Sequence, residues 1–251
     1  MLNNFLGKKT KLTKNSTKNN IKLTSSPQKI KTDLTSSKFR ILNEKLYTMS
    51  NEEAKEYFKD NKEDFEIYHK GFSMQCEKWP IIPNDLILKT LKLEKYKNKT
   101  IVDVGCGEAK LAQNLVPFGY KIYSFDLVSL NKFVTQCDMK KLPLKNKEID
   151  IAIFCLSLMN KNFIPFIYEA NRVLKIKGKL LIAEISSRII NLKNFLEIFK
   201  QLNFKLFKQK NIENYFTILS FKKISDAKIN KKLINKENTF DILKPCLYKK
   251  R

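Results

Sequence analysis

The residues best suited to chemistry lie in Ile101-Val-Asp103-Val-Gly105-Cys-Gly107-Glu-Ala-Lys110, an apolar run that ends in a Gly-x-Gly turn and passes into a helical pattern. Glycines at these two places let the backbone turn sharply and approach a ligand closely, with the amides of the following helix facing it. A dinucleotide site wants a third small residue for helix–strand packing, and Lys110 stands in that place. A ligand without a pyrophosphate dispenses with it, which favours S-adenosylmethionine over a nicotinamide dinucleotide. Asp126 closes the next apolar run, where an acid can accept hydrogen bonds from both hydroxyls of a ribose. Cys137-Asp138-Met139 closes the run after that. A carboxylate there suits the exocyclic amine of an adenine, and the Met139 thioether suits its ring. Asp103 has two open readings: orienting the charged methionine end of the cofactor, or packing and capping the turn.

These residues need a scaffold that brings successive strand ends together, and the chain alternates in that way. Apolar runs at 100–105, 121–125, 133–137, 149–155 and 179–185 read as strands. The continuously apolar Ile151–Cys155 suits a strand buried on both faces. Between them lie helical patterns at 108–116, from Pro165 with Phe166, Ala170 and Val173 on one face, and at 192–199. The stretches 204–207 and 215–221 read as a closing hairpin. Repeated β-α-β units imply a parallel sheet covered by helices, with ligands at the carboxyl ends of the strands. The expectation is an α/β, Rossmann-like class I methyltransferase fold: a mostly parallel seven-stranded sheet, a C-terminal antiparallel hairpin and an N-terminal helical cap. The expected divisions are a disordered basic tail at 1–38, the cap at 39–97, the cofactor-binding domain at 98–222 and a basic C-terminal tail at 223–251.

The chain of 251 residues carries 49 Lys+Arg against 25 Asp+Glu, a net charge of +24. The tails hold +8 (1–38) and +7 (222–251), so much of the excess lies outside the expected domain. Such a balance favours a polyanionic partner through displaced counterions. A lysine- and asparagine-rich composition of AT-rich coding origin is the competing account. Five cysteines form no CxxC pair, and with one histidine a zinc site is not expected. No apolar run approaches the length of a membrane span, and the odd thiol count suits a reducing compartment. The basic start reads as a solvated tail ahead of a transit peptide. A reactive Cys155 would need a nearby cation or helix start; an apolar strand makes it a pocket wall instead. Trp79 and Phe72 could stack on a substrate base or simply pack in the core.

Several strings together resemble the nucleolar ribosomal RNA-processing protein eight (nucleomethylin) family. They are Phe39-Arg40 to Tyr47, Tyr68-His69-Lys-Gly71-Phe72, Lys78-Trp79-Pro80, Phe125-Asp126-Leu127, Cys137-Asp138-Met139, Asp150 with Phe154–Met159, Glu169–Leu174 and Ala183-Glu184 with Ser186–Arg188. The terminal Leu243–Arg251 resembles the tail of fungal members. The resemblance implies an S-adenosylmethionine-dependent methyltransferase acting on N-1 of an adenine in large-subunit ribosomal RNA. It also implies a nuclear, nucleolar location among pre-ribosomal particles, with a monomer as the default. The cofactor contacts it implies are His69, Gly105, Asp126, Asp138, Met139 and Cys155, to which the turn adds Gly107. No catalytic residue is assigned: N-1 of neutral adenine offers a lone pair, so in-line placement can suffice. An N-1 edge engaged in pairing must first be exposed, so the RNA is expected unpaired or flipped. The competing classes are a non-catalytic S-adenosylmethionine-binding RNA or chromatin module, and a methyltransferase with a protein or small-molecule substrate. One departure, Lys175-Ile-Lys-Gly178, replaces a proline-glycine-glycine turn; Gly178 is expected to preserve it.

Overall fold

In the computed structural model, which describes residues 27–248, three helices precede the sheet: α1 (Pro27–Thr48), α2 (Asn51–Asp60) and α3 (Lys62–Cys76). Their apolar faces (Phe39, Leu42, Leu46, Phe58, Phe65 and Tyr68) close on one another and on Val128 of the sheet domain. Ser50 starts α2 with a capping box: its hydroxyl accepts from Glu53 N, and the Glu53 carboxylate accepts from Ser50 N. Gly71 is where α1 and α3 cross, because a Cβ there would overlap Phe39 Cβ. Gly71→Ala should therefore force the helices apart and destabilise the fold by about 1–3 kcal/mol, read as a lowered denaturation midpoint.

Helix α4 (Pro83–Leu91) leads into the alternating part: β1 (Thr100–Val104), α5 (Lys110–Leu115), β2 (Lys121–Asp126), β3 (Thr135–Gln136), β4 (Ile149–Cys155), α6 (Ile164–Val173), β5 (Leu174–Ile185), α7 (Leu192–Gln201), β6 (Phe204–Ile212) and β7 (Phe216–Lys223). The sheet order is β3-β2-β1-β4-β5-β7-β6. Strands β1 to β5 are parallel, and β7 runs antiparallel to both β5 and β6. One face of the sheet buries Phe154, Leu180, Ile182 and Phe221 against Phe166 of α6 and Phe195 and Phe199 of α7. The other buries Ile101, Ile151, Ile153 and Ala183 against Ile87 and Leu91 of α4 and Leu111 and Leu115 of α5.

The boundaries differ from the sequence expectation in four places. Residues 1–26 lie outside the described residues, but α1 already begins at Pro27 and carries the chain across residue 38 as helix. Strand β3 has two exposed residues rather than five, as befits an edge strand with one partner. Lys175–Gly178 belongs to the long strand β5, with Lys177 at φ +67° and a register shift against β4, rather than to a separate turn. The segment after β7, expected as a basic tail, returns to the body. A short helix α8 (Lys231–Ile234) precedes Leu243, which bridges to Ile189. Asn43 donates to the Cys246 carbonyl at 2.7 Å, and the Tyr248 ring lies 5.3 Å from that of Phe39. The strap thus fastens the cap to the sheet domain.

Two of the strings that carry the family resemblance hold the scaffold together. Glu169 accepts from Leu142 N, while Arg172 pairs with Glu169 and donates to the carbonyls of Leu142 and Leu144, fixing the loop after β3. Arg188, buried, pairs with buried Glu184 at 2.5 Å.

Candidate functional site

The carboxyl ends of β1, β2 and β4 face α3 and the start of α4 across one cavity. At the end of β1 the backbone turns through Gly105 (φ +70°) and Gly107 (φ +57°). The amides of Gly105 and Cys106 donate to Phe125 O at 2.8 and 3.1 Å, which ties this turn to the end of β2. A Cβ on Gly107 would lie 2.9 Å from His69 Cε1, so only a glycine fits under the imidazole that α3 lays over the turn. Ser157, after β4, donates to Val104 O at 2.6 Å and braces the turn from the other side.

Of the four carboxyls that line this cavity, Asp85, Asp103, Glu108 and Asp126, two are buried: Asp103 and Asp126. Asp126 accepts from Gly107 N (2.6 Å) and Leu127 N (2.7 Å). Burial pushes it up to about 6 against the pull of those two amides. Asp103, 3% exposed, is pushed up to about 7 by burial and then by the charge of Asp126. Among the described residues neither has a cation paired with it. A buried acidic pair at a strand end, backed by an amide turn, is a charge complement for a cationic ligand with hydroxyls.

The sequence-expected residues His69, Gly105, Gly107, Asp126, Met139 and Cys155 line the same cavity. His69 lies against Phe65 and Tyr68, at 4.5 and 5.1 Å between rings. Burial, then the charge of Lys110, push it down to about 4, so the imidazole is neutral near pH 7. Its Nε2 is buried without a protein partner. Burial pushes the Cys155 thiol well above its ordinary range, which suits a wall and not a nucleophile. Asp138 stands just behind the wall. Its Oδ1 accepts from Asn51 Nδ2 and from Lys140 N, each at 2.8 Å, and Asn160 Nδ2 donates to Asn51 Oδ1 at 3.2 Å. Asp138 therefore meets the cavity through Asn51 and Asn160, of which Asn160 is part of the lining.

Phe72 and Trp79 also line the cavity while packing edge-on, 5.8 Å apart, with Trp79 5.0 Å from Phe216. Sequence reasoning missed Asn84, Ser157 and Asn160. Asn84 Oδ1 is a buried acceptor with no protein partner at the cavity's edge. The available signal was Pro83-Asn84-Asp85, a proline-opened first turn with polar side chains. Among the described residues no three His, Cys, Asp or Glu side chains gather as a metal site.

A family model described as "Hypothetical methyltransferase" matches residues 25–251. The chain is 46% identical to Ribosomal RNA-processing protein 8 of Dictyostelium discoideum, over 92% of this chain and 61% of that protein. It is 44% identical to Ribosomal RNA-processing protein 8 of Caenorhabditis elegans, over 87% and 61%. To the 25S rRNA (adenine(645)-N(1))-methyltransferase of Schizosaccharomyces pombe it is 40% identical, over 92% and 74%. The chain thus spans about three fifths of the length of the first two relatives. Among solved structures, the 1,6-didemethyltoxoflavin-N1-methyltransferase of Burkholderia thailandensis, bound to its substrate and S-adenosylhomocysteine, aligns with a TM-score of 0.54. That alignment covers 68% of this chain and 90% of that one at 14% identity, and shows the shared fold.

Proposed function

The chain belongs to the Ribosomal RNA-processing protein 8 family, and from that membership we propose that it transfers a methyl group from S-adenosylmethionine to N-1 of an adenine in large-subunit ribosomal RNA. The observation that carries this reading is the buried Asp103–Asp126 pair beside the Gly105–Gly107 turn, neither carboxyl being ion-paired among the described residues, while the Lys110 ammonium at the rim pairs with Glu108. The residues fit the cofactor. Asp126 has lone pairs left for ribose hydroxyls after accepting two amides, and Asp103 faces the space a cationic methionine end would fill. Met139 and Cys155 give an apolar wall for the adenine, while His69 closes the turn from above. When bound, the cofactor supplies an electrophilic methyl on a sulfonium.

What remains for the chain is positioning. N-1 of adenine carries its own lone pair, so no base has to remove a proton before attack. The neutral imidazole of His69 suits that requirement, since it neither adds a second positive charge nor competes for the methyl while its ring is packed between aromatics. Phe72 and Trp79 offer faces for an unpaired base, and Asn84 Oδ1 offers an acceptor for an exocyclic amine. In this reading the cap (39–97) and the cofactor domain (98–222) enclose the reaction, and the protein works on pre-ribosomal particles in the nucleolus.

The acidic pair makes cofactor binding depend on pH. Both carboxyls hold protons more tightly in the folded, ligand-free protein than in the unfolded chain. Their ionisation therefore costs stability as pH rises from about 4 towards 7, and the free protein gains relative stability as pH falls through that window. A cationic ligand prefers the ionised pair, so its affinity should rise by about tenfold between pH 5.5 and 7.5. Titration calorimetry at several pH values checks this. Asp103→Asn should flatten the upper part of the profile, and a pH-independent affinity in the wild type would contradict the assignment.

A further inference from the structure

The sheet ends in β5, β7 and β6, and one face of this end carries lysines in rows. Cross-strand neighbours share a face. The pairing places Lys179, Lys222 and Lys205 in one row, Leu181, Ser220 and Lys208 in the next, and Ala183, Ile218 and Lys210 in the third. The face thus holds five lysines and no acid. Helix α4 and the turn after it form the opposite wall of a groove, adding Lys89, Lys95 and Tyr96, and no carboxylate lines it. Among the described residues none of these seven lysines has a carboxylate within ion-pairing distance. Lys179 Nζ is hydrogen-bonded to Tyr96 Oη at 3.0 Å and sits over that ring at 4.7 Å. Phe207 stands at the bulge of β6, 51% exposed, 5.8 Å from the same ammonium.

Like charges directly opposite one another destabilise a sheet, so the fold gains nothing from the Lys179–Lys222–Lys205 row. Protection of an edge strand would explain lysines on β6. It does not explain Lys179 and Lys222, which stand on interior strands, or an exposed phenylalanine among them. The arrangement matches a phosphate chain with unpaired bases: closely spaced cations for the backbone and aromatic faces for the rings. Helix α4 joins the two places. Pro83 to Asp85 line the cofactor cavity, Lys89 to Leu91 line the groove, and a nine-residue helix is about 13 Å long.

We propose that this groove is a second RNA-binding surface, which holds a single-stranded stretch of the substrate across Lys179, Lys222, Lys208 and Lys210 with bases against Tyr96 and Phe207. It deepens the methyl-transfer reading and rests on it for the identity of the polymer. The surface supplies affinity without sequence choice and delivers the strand to the cavity at the other end of α4.

The test uses the full chain and a 20-nucleotide unstructured RNA with a fluorescent end, titrated by anisotropy at several salt concentrations. Lys208→Gln with Lys210→Gln should weaken binding at least tenfold at low salt and reduce the salt slope by about 1.4, two phosphates at about 0.7 each. Phe207→Ala should weaken it about fivefold with the slope unchanged. Lys193→Gln with Lys228→Gln, away from this face, should stay within about twofold. S-adenosylmethionine binding by calorimetry should be unchanged in all of them. Its loss in the wild type would sink the methyl-transfer reading without touching the groove. Equal losses from both lysine pairs, or no loss from the first pair, would overturn the proposal.

Discussion

Arg188→Ala should lower the stability of the folded chain by about 3–5 kcal/mol, the usual cost of removing one partner from a buried ion pair. In a chain of this size that corresponds to a fall in the melting midpoint on the order of 10 °C. Arg188 is 2% exposed and its partner Glu184 is 1% exposed. The guanidinium also donates to Leu158 O at 2.8 Å and to Lys244 O at 2.9 Å, and it lies 4.6 Å from the centre of the Tyr47 ring. One side chain therefore joins the end of β5, the loop after β4, the C-terminal strap and the cap. Its removal leaves the Glu184 carboxyl, already pushed up by burial, with no compensating charge. The double variant Arg188→Met with Glu184→Leu should recover most of the loss, because it removes both desolvated groups. Thermal denaturation of the three proteins decides the matter. A loss below about 1 kcal/mol in the single variant would mean that the pair does not organise this junction.

Asp126→Ala should leave the fold in place and weaken S-adenosylmethionine binding by at least a hundredfold. The carboxylate is proposed to accept two ribose hydroxyls, and hydrogen bonds to a charged group contribute about 1.5–3 kcal/mol each. Together they amount to two decades or more in affinity. The same residue holds Gly107 N at 2.6 Å, so the variant also loosens the turn that approaches the ligand. Circular dichroism separates loss of fold from loss of binding, and calorimetry reads the affinity. Retention of wild-type affinity in a folded Asp126→Ala protein would remove the ribose assignment.

The ends of β1 and β2 are legible because each pairs an apolar run with an acid at or next to its last residue: Asp103 and Asp126. Local chemistry of that kind survives folding, and six of the seven expected residues line one cavity, with Gly107 beside His69. Asp138 departs because its setting depends on Asn51, 87 residues away, which no local pattern reveals. The same holds for Asn160, which reaches Asn51 across 109 residues. The start of α1 was hidden by composition. Lys, Thr and Ser dominate residues 28–38, and the helix is anchored by Phe39, Leu42 and Leu46 further on. The C-terminal strap looks like a tail in sequence because its charge is basic, although Ile242 and Leu243 bury themselves in the core and Thr239 donates to Lys161 O. Net charge describes what a segment offers to solvent, and says little about the two or three apolar residues that fix it.

The methylated atom decides between the proposed function and its alternatives. Large-subunit ribosomal RNA prepared without the modification should be incubated with the full chain and S-adenosylmethionine carrying a labelled methyl group, then digested to nucleosides and resolved by mass spectrometry. Label is expected in 1-methyladenosine alone, lost with Asp126→Ala. Label in another nucleoside or in ribosomal protein, or none from a chain that binds the cofactor, would contradict the proposed function.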